Sequence, residues 1–196
     1  MDTGHIAREL NGAGFVVVPD ALPGHVLSAL SRNCDNSIPG FAPASIGRGA
    51  ERSREDSIRG DVVRWLSDAN DVDEAYLRVM ETLRAALNEQ LFLGLFDYEC
   101  HYAIYEAGAR YQKHSDVLHG KDARLLSTVI YLNDSWAKDA GGELILYRGN
   151  DPKVIARILP QPGSMVLFLS ADFPHEVLPA SKPRHSIAGW YRGRVN

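Results

Sequence analysis

Up to about residue 91, apolar residues mostly recur every three or four positions. Beyond residue 97 they gather into short runs divided by Gly, Pro, Asn and Asp. The first pattern predicts helices and the second predicts strands. IARELNGAG reads as a short helix stopped by its glycines, FVVVPD as a strand, and HVLSALSRNC as a second helix. The longest helix is expected over 71–91. There Ala75, Leu77, Val79, Leu83, Ala86, Leu87 and Leu91 approximate an apolar stripe, and Asp71 and Asp73 suit the positive amino end. That stripe is expected to pack on a sheet. Residues 37–60, rich in Gly, Pro, Ser and charge, read as a long irregular loop, a kind of segment that often carries function and here is a candidate lid. YECHYAIY, LLSTVIYL, ELILY, VIARIL, SMVLFL, HEVLP and HSIAGWY follow as strands. No repeat, low-complexity tract or linker divides the chain. The expectation is one domain over 1–196, α+β in class, a jelly roll or barrel with N-terminal helices packed on one sheet.

Composition narrows the setting. A chain of 196 residues, 45% hydrophobic, buries roughly 70% of the surface its unfolded form exposes and needs no staples. Its two cysteines, Cys34 and Cys100, give no disulfide framework, and a reducing, cytoplasmic setting is expected. The amino terminus lacks a basic start followed by an apolar stretch, and every apolar run falls well short of the roughly 18 residues that span a bilayer. Neither secretion nor a membrane partner is expected. With 25 acidic against 21 basic side chains, the chain is also not expected to grip nucleic acid.

The chemical clues begin at His114-Ser115-Asp116, two potential metal ligands that project to the same side of an extended chain. Alone this triplet is weak evidence and reads more readily as a solvated turn than as a metal site. His175, at the start of a late strand, supplies a second imidazole. Meeting across a barrel mouth, the three give two imidazoles and one carboxylate on one face of a metal, a set that suits Fe(II) and leaves positions open. A structural zinc site would close itself with four protein ligands, often cysteines. Arg184 opens the strand RHSIAGWY nine residues after His175. Strand alternation puts Arg184, Ser186, Ala188 and Trp190 on one side, so a guanidinium sits beside two small residues with room for a small acid. The bland reading is a surface charge, and the spacing from His175 argues against it.

With those residues in place, the sequence resembles the Fe(II)- and 2-oxoglutarate-dependent dioxygenases, in the branch typified by the hypoxia-inducible factor prolyl hydroxylases. The likeness runs through ELNGAGFVVVPDAL, SIRGDVVRWL, YEAGARYQKHSD, STVIYLNDSW, GGELILY and PHEVLPASKPRHSIAGWY in the family's order. It implies a double-stranded β-helix, with iron held by His114, Asp116 and His175 as the catalytic centre. It further implies that Arg184 pairs with the distal carboxylate of 2-oxoglutarate, that Tyr131 hydrogen bonds the same carboxylate, and that Tyr105 and Tyr111 line the pocket. Trp190 matches a tryptophan near the target proline, and Arg59, Asp61 and Arg124 match positions close to the entrance. Dioxygen is the second cosubstrate, with ascorbate in a supporting role and oxygen sensing as an associated activity. The implied partner is a protein or peptide containing proline. A carboxylate at 116 favours hydroxylation, since related halogenases lack it.

The sequence departs from the animal members. It stops six residues after Trp190, so a C-terminal substrate-holding helix and a zinc-binding targeting domain are not expected. The compact unit resembles bacterial relatives for which a translation factor is an expected target. Other readings stand beside this one: an oxygenase acting on another protein side chain or a small molecule, a jelly roll that binds or senses a ligand without turnover, and, third, a nucleic acid demethylase. His5, His25, His119 and His185 read as ordinary surface usage. His101 reads equally as core or substrate contact, and Glu143 as part of a glycine turn. Arg48, Arg52, Arg54 and Arg59, interleaved with Glu51, Glu55, Asp56 and Asp61, read as a charge-balanced solvated stretch.

Overall fold

The computed structural model describes residues 1–36, 40–44, 58–117 and 124–194. Most of the expected 37–60 loop and its lid role, with Arg48, Arg52, Arg54, Glu51, Glu55 and Asp56, lies outside them, as does His119. The described residues hold three helices, α1 (Thr3–Gly12), α2 (Gly24–Asn36) and α3 (Asp71–Leu91), interleaved with the first strands. Asp2 starts α1 by accepting the His5 amide, and Asn70 starts α3 by accepting the Asp73 amide. Phe92 ends α3 in the left-handed conformation. The expected bounds of α3 therefore hold, and its buried face follows the expected stripe in part, with Leu83 and Leu87 buried and Leu77, Val79 and Leu91 packed against the core. Tyr76 and Met80 complete that face, while Ala75 is exposed. The larger Tyr and Met side chains bury more area on the sheet than Ala75 offers.

The strands form two antiparallel sheets. The larger is ordered β1 (Phe15–Val18), β9 (Met165–Leu169), β6 (Arg124–Tyr131), β11 (Arg184–Arg192), β4 (Asp97–Tyr105), β3 (Asp61–Trp65) and β2 (Ala42–Pro43). The smaller is ordered β5 (Tyr111–His114), β10 (His175–Val177), β7 (Leu144–Tyr147) and β8 (Val154–Ile158). Sequence patterning missed β2, β3 and β5. The first is only two residues long, and DVVRW and YQKH mix charge into runs too short for a clear period of two.

The large sheet is buried on both faces. On one face Tyr102, Ile104, Leu126, Ile130, Leu167, Ile187 and Tyr191 pack against Ile6, Leu10, Leu30, Tyr76, Met80 and Leu83 of the helices. On the other, Ala103, Tyr105, Tyr131, Val166 and Phe168 meet Leu144, Leu146 and Val177 of the small sheet. The expected jelly roll with helices packed on one sheet is the architecture observed. Gly189 keeps the centre tight, because a Cβ there would collide with the Tyr98 ring.

Under the helices lies one buried polar cluster. Asp73, wholly buried, accepts hydrogen bonds from the Tyr102 hydroxyl at 2.7 Å, Asn33 Nδ2 at 2.9 Å and Arg64 Nη1 at 3.2 Å. More than complementing the helix dipole, this carboxylate bolts α3 to α2, β3 and β4. Removing it strands a buried guanidinium, whereas removing one hydroxyl leaves two donors in place. Asp73→Ala is therefore expected to lower stability by about 3–5 kcal/mol and Tyr102→Phe by about 1 kcal/mol. Urea denaturation at neutral pH checks both values and their order.

Candidate active site

Between the sheets opens a cavity of about 590 Å³. His114 ends β5, and Asp116 follows two residues later. His175 opens β10 directly opposite His114 in the antiparallel register. His114 Nε2 lies 3.9 Å from Asp116 Oδ1, and His175 Nε2 lies 3.7 Å from Asp116 Oδ2. All three ligand atoms fall within 4.8 Å of one another. Each imidazole is aimed from behind. His114 Nδ1 meets the Gln112 carbonyl at 2.8 Å and His175 Nδ1 the Phe173 carbonyl at 3.0 Å. A carbonyl only accepts, so Nδ1 carries the proton and Nε2 presents its lone pair to the carboxylate side, the arrangement that metal-ligating histidines use.

The electrostatics agree. Burial, then the neighbouring His175, pushes the His114 imidazole far below its ordinary value and keeps it neutral. Burial alone would raise the Asp116 carboxyl. The His175 and His114 imidazoles and the Ser127 hydroxyl overcome it and hold the group ionised. Two imidazoles and one carboxylate, with no further His, Cys, Asp or Glu joining the set among the described residues, fit a ferrous ion.

Deeper on the large sheet, Arg184 is 2% exposed and has no acidic partner among the described residues. Its Nε donates to the Gly142 carbonyl and its Nη1 to the Ser186 hydroxyl, both at 3.2 Å. Gly142 has φ of 75°, and a Cβ there would come within 2.9 Å of Trp136. The chain thus needs glycine at that point to bring its carbonyl to the guanidinium. The Arg184 guanidinium carbon stands 4.9 Å from the Tyr131 ring and 5.3 Å from the Tyr105 ring. The Tyr131 hydroxyl is buried without a hydrogen-bond partner. Burial, opposed by Arg184, raises its pKa, so it remains a donor. A buried cation beside an orphaned hydroxyl fits a carboxylate.

The lip is built from paired charges and rings. Arg59 grips Asp61 through Nε at 2.7 Å and Nη2 at 3.0 Å and covers the Tyr111 ring at 4.7 Å. Tyr111 stacks on His114, centroids 3.6 Å apart. Arg124 lies 3.6 Å over the Trp190 ring and donates two hydrogen bonds to Glu99. Of the residues that the family resemblance assigned to the site, all line the cavity except Asp61, which holds Arg59, and Tyr131, which lies against Arg184. As strand alternation predicted, Arg184, Ser186, Ala188 and Trp190 share its wall. Sequence reasoning missed Ser127, whose hydroxyl donates to Asp116 Oδ2 at 2.6 Å. Its parity with Tyr131 on β6 was the available signal. Trp65 and Glu99 also line the wall and were missed. His101 resolves as a lining residue packed against Trp65 at 5.1 Å and Trp190 at 5.4 Å. Burial, then Arg59, pushes it down to about 4, so it is neutral at ordinary pH. His185 faces away and pairs with Asp35.

The profile of the 2OG-Fe(II) oxygenase superfamily matches residues 100–192, which hold all three triad residues and Arg184. A prolyl-4-hydroxylase from Pseudomonas putida is 35% identical and superposes with a TM-score of 0.88, covering 98% of this chain and 100% of that one. A Trichoplax adhaerens prolyl hydroxylase, solved with a hypoxia-inducible factor peptide, is 28% identical with a TM-score of 0.83, covering 97% of this chain and 88% of that one. The hypoxia-inducible factor prolyl hydroxylase of Caenorhabditis elegans is 28% identical over 95% of this chain, and the match spans 28% of the nematode protein. The chain belongs to the 2-oxoglutarate- and Fe(II)-dependent oxygenase superfamily, in its prolyl hydroxylase-like branch. Members of that superfamily use Fe(II), 2-oxoglutarate and dioxygen.

Because Ser127 orients a carboxylate that faces both imidazoles, Ser127→Ala is expected to weaken Mn(II) binding, with Mn(II) as an air-stable probe, by about tenfold or more. Calorimetric titration checks this, and unchanged affinity would count against the hydroxyl's role.

Proposed function

We propose that the protein hydroxylates prolyl residues in a protein or peptide, at the 4-position, consuming 2-oxoglutarate and dioxygen and releasing succinate and carbon dioxide. The observation that carries this reading is the burial of Arg184 and the orphaned Tyr131 hydroxyl beside the cavity that holds the His114–Asp116–His175 triad. His114 Nε2, Asp116 and His175 Nε2 would hold the iron. When bound, iron supplies the oxidising chemistry: one atom of dioxygen enters the substrate C–H bond and the other enters succinate.

The chain's own residues do the rest. Arg184, fixed by Gly142 and Ser186, neutralises the distal carboxylate of the five-carbon diacid, and the protonated Tyr131 hydroxyl donates to it. Tyr105 walls that end of the cavity. Trp190, backed by Arg124, and Tyr111, backed by Arg59, flank the approach and present flat apolar surfaces to a proline ring while excluding water. Asp61 keeps Arg59 in place. The relatives that act on peptides support a peptide substrate for this chain, and the expected translation factor is the first protein target to assay. The free buried cysteines suit a reducing compartment such as the cytoplasm. No helix among the described residues is long and apolar enough to cross a membrane.

Incubating proline-containing peptide libraries and the translation factor with Fe(II) and 2-oxoglutarate is expected to give a one-oxygen mass gain on proline that co-elutes with 4-hydroxyproline after hydrolysis. Product on a free metabolite alone would overturn the peptide reading. Binding of 2-oxoglutarate with no turnover on any substrate would support the ligand-binding alternative. Asp116→Ala is expected to abolish succinate-coupled product. Arg184→Ala is expected to keep its metal but lose about 2–3 kcal/mol of 2-oxoglutarate affinity, roughly 30- to 150-fold. An unchanged cosubstrate titration would refute that role.

A further inference from the structure

On the helix side of the large sheet, three donors converge that the triad does not use. Cys34 and Asp35 lie in the last turn of α2, and His185 follows Arg184 on β11 with its side chain turned to the opposite face. The Cys34 sulfur, an Asp35 carboxylate oxygen and a His185 ring nitrogen fall within 4.8 Å of one another. His185 Nδ1 and Asp35 Oδ1 are 3.2 Å apart. That spacing is close to the edge of a tetrahedron built on metal bonds of about 2.0–2.1 Å. Among the described residues only this group and the triad bring three such donors together.

We propose that Cys34, Asp35 and His185 form a second metal site, for a borderline divalent cation of the Zn²⁺ type. The competing reading is a surface ion pair beside a core cysteine. Such a pair contributes little by itself, and it gives no reason for the sulfur to join the cluster. A mixed sulfur, nitrogen and oxygen set selects zinc-like cations over magnesium or calcium. The site sits at the carboxyl end of α2, where the helix dipole favours a cation. Asp35 and His185 also line a separate cavity of about 240 Å³ with Ser31, Asn133 and Asp134, so water can reach a fourth coordination position. Arg64 is the opposing charge near Cys34, and its ion pair with Asp73 at 3.2 Å offsets it.

Burial, and then Asp35, pushes the Cys34 thiol up to about 12, so it starts as a neutral S–H. On binding, the S–H bond breaks, a sulfur–metal bond forms and the proton leaves to solvent. No electron is transferred. The bound cation ties the end of α2 to the strand that carries Arg184.

Cobalt(II) is the probe, because the triad has no sulfur and only a cysteine ligand gives a near-ultraviolet sulfur-to-cobalt charge-transfer band. In an Asp116→Ala variant that disables the triad, the band is expected to saturate at one equivalent, and in the full chain, where the triad also takes cobalt, by two equivalents. Cys34→Ser is expected to remove it and Cys100→Ala to leave it. Asp35→Asn changes an exposed side chain and His185→Gln a half-buried one for a similar polar group, and circular dichroism confirms that each variant is folded. Each is expected to weaken the titration about tenfold or more. No sulfur band in either the parent or Asp116→Ala, or a band unchanged in Asp35→Asn and His185→Gln, would overturn the proposal.

Discussion

The chemistry of this cavity rests on strand register. In the small sheet, His175 stands opposite His114. In the large sheet, Arg184 stands opposite Tyr105 and Ser186 opposite both Ala103 and Tyr131. A slip of one residue in β11 would turn Arg184, Ser186, Ala188 and Trp190 onto the helices and send Ile187 and Tyr191 into the cavity. Both faces forbid this. The helix face would lose the burial of Ile187 and Tyr191, and the cavity face would lose its only buried guanidinium among the described residues. The helices therefore fix the position of Arg184 without touching the cavity.

Charge is distributed by depth. At the lip, Arg59 pairs with Asp61 and Arg124 with Glu99, while Arg192 pairs with both Asp97 and Glu99. These partly exposed cations are already satisfied, so their work is to brace rings, with Arg59 over Tyr111 and Arg124 over Trp190. Arg184, deeper and nearly unexposed, donates hydrogen bonds to a carbonyl and a hydroxyl and meets no carboxylate among the described residues. The same residue type thus braces rings at the rim and, in the interior, presents a buried charge that suits an anion. The low local dielectric makes the interior one selective, because a neutral ligand there would leave the charge unsatisfied.

The parts legible in the sequence share a physical trait: each is local. Helix α3 was legible because its apolar spacing and its acidic first turn both lie within the segment itself. HEVLP and HSIAGWY were legible as strands because β-branched and aromatic residues cluster between turn formers. The triad showed through because His114 and Asp116 are two residues apart, and alternation alone sorted the wall of β11. What stayed hidden depended on pairing. β3 and β5 are short and partly charged, and they are strands because β4 and β10 give them partners. Ser127 matters only because β6 brings it to Asp116, forty-three residues from its other hydroxyl partner, Ser170, at 2.9 Å. Asp73 looked like a helix-end charge because its three donors come from distant elements.

His185 carries that argument to its limit. Nothing around it in sequence distinguishes it from a surface histidine, and Cys34 lies on the other side of the chain's midpoint. They meet because strand alternation gives successive residues of β11 opposite faces. Arg184 faces into the barrel, and His185 faces α2. One peptide bond therefore separates a residue that lines the cavity from a residue that meets a carboxylate and a thiol. A constraint placed on His185 fixes the backbone that also sets the χ1 origin of Arg184. The rigidity of a nine-residue antiparallel pairing with β4 would carry that constraint without any change in the fold.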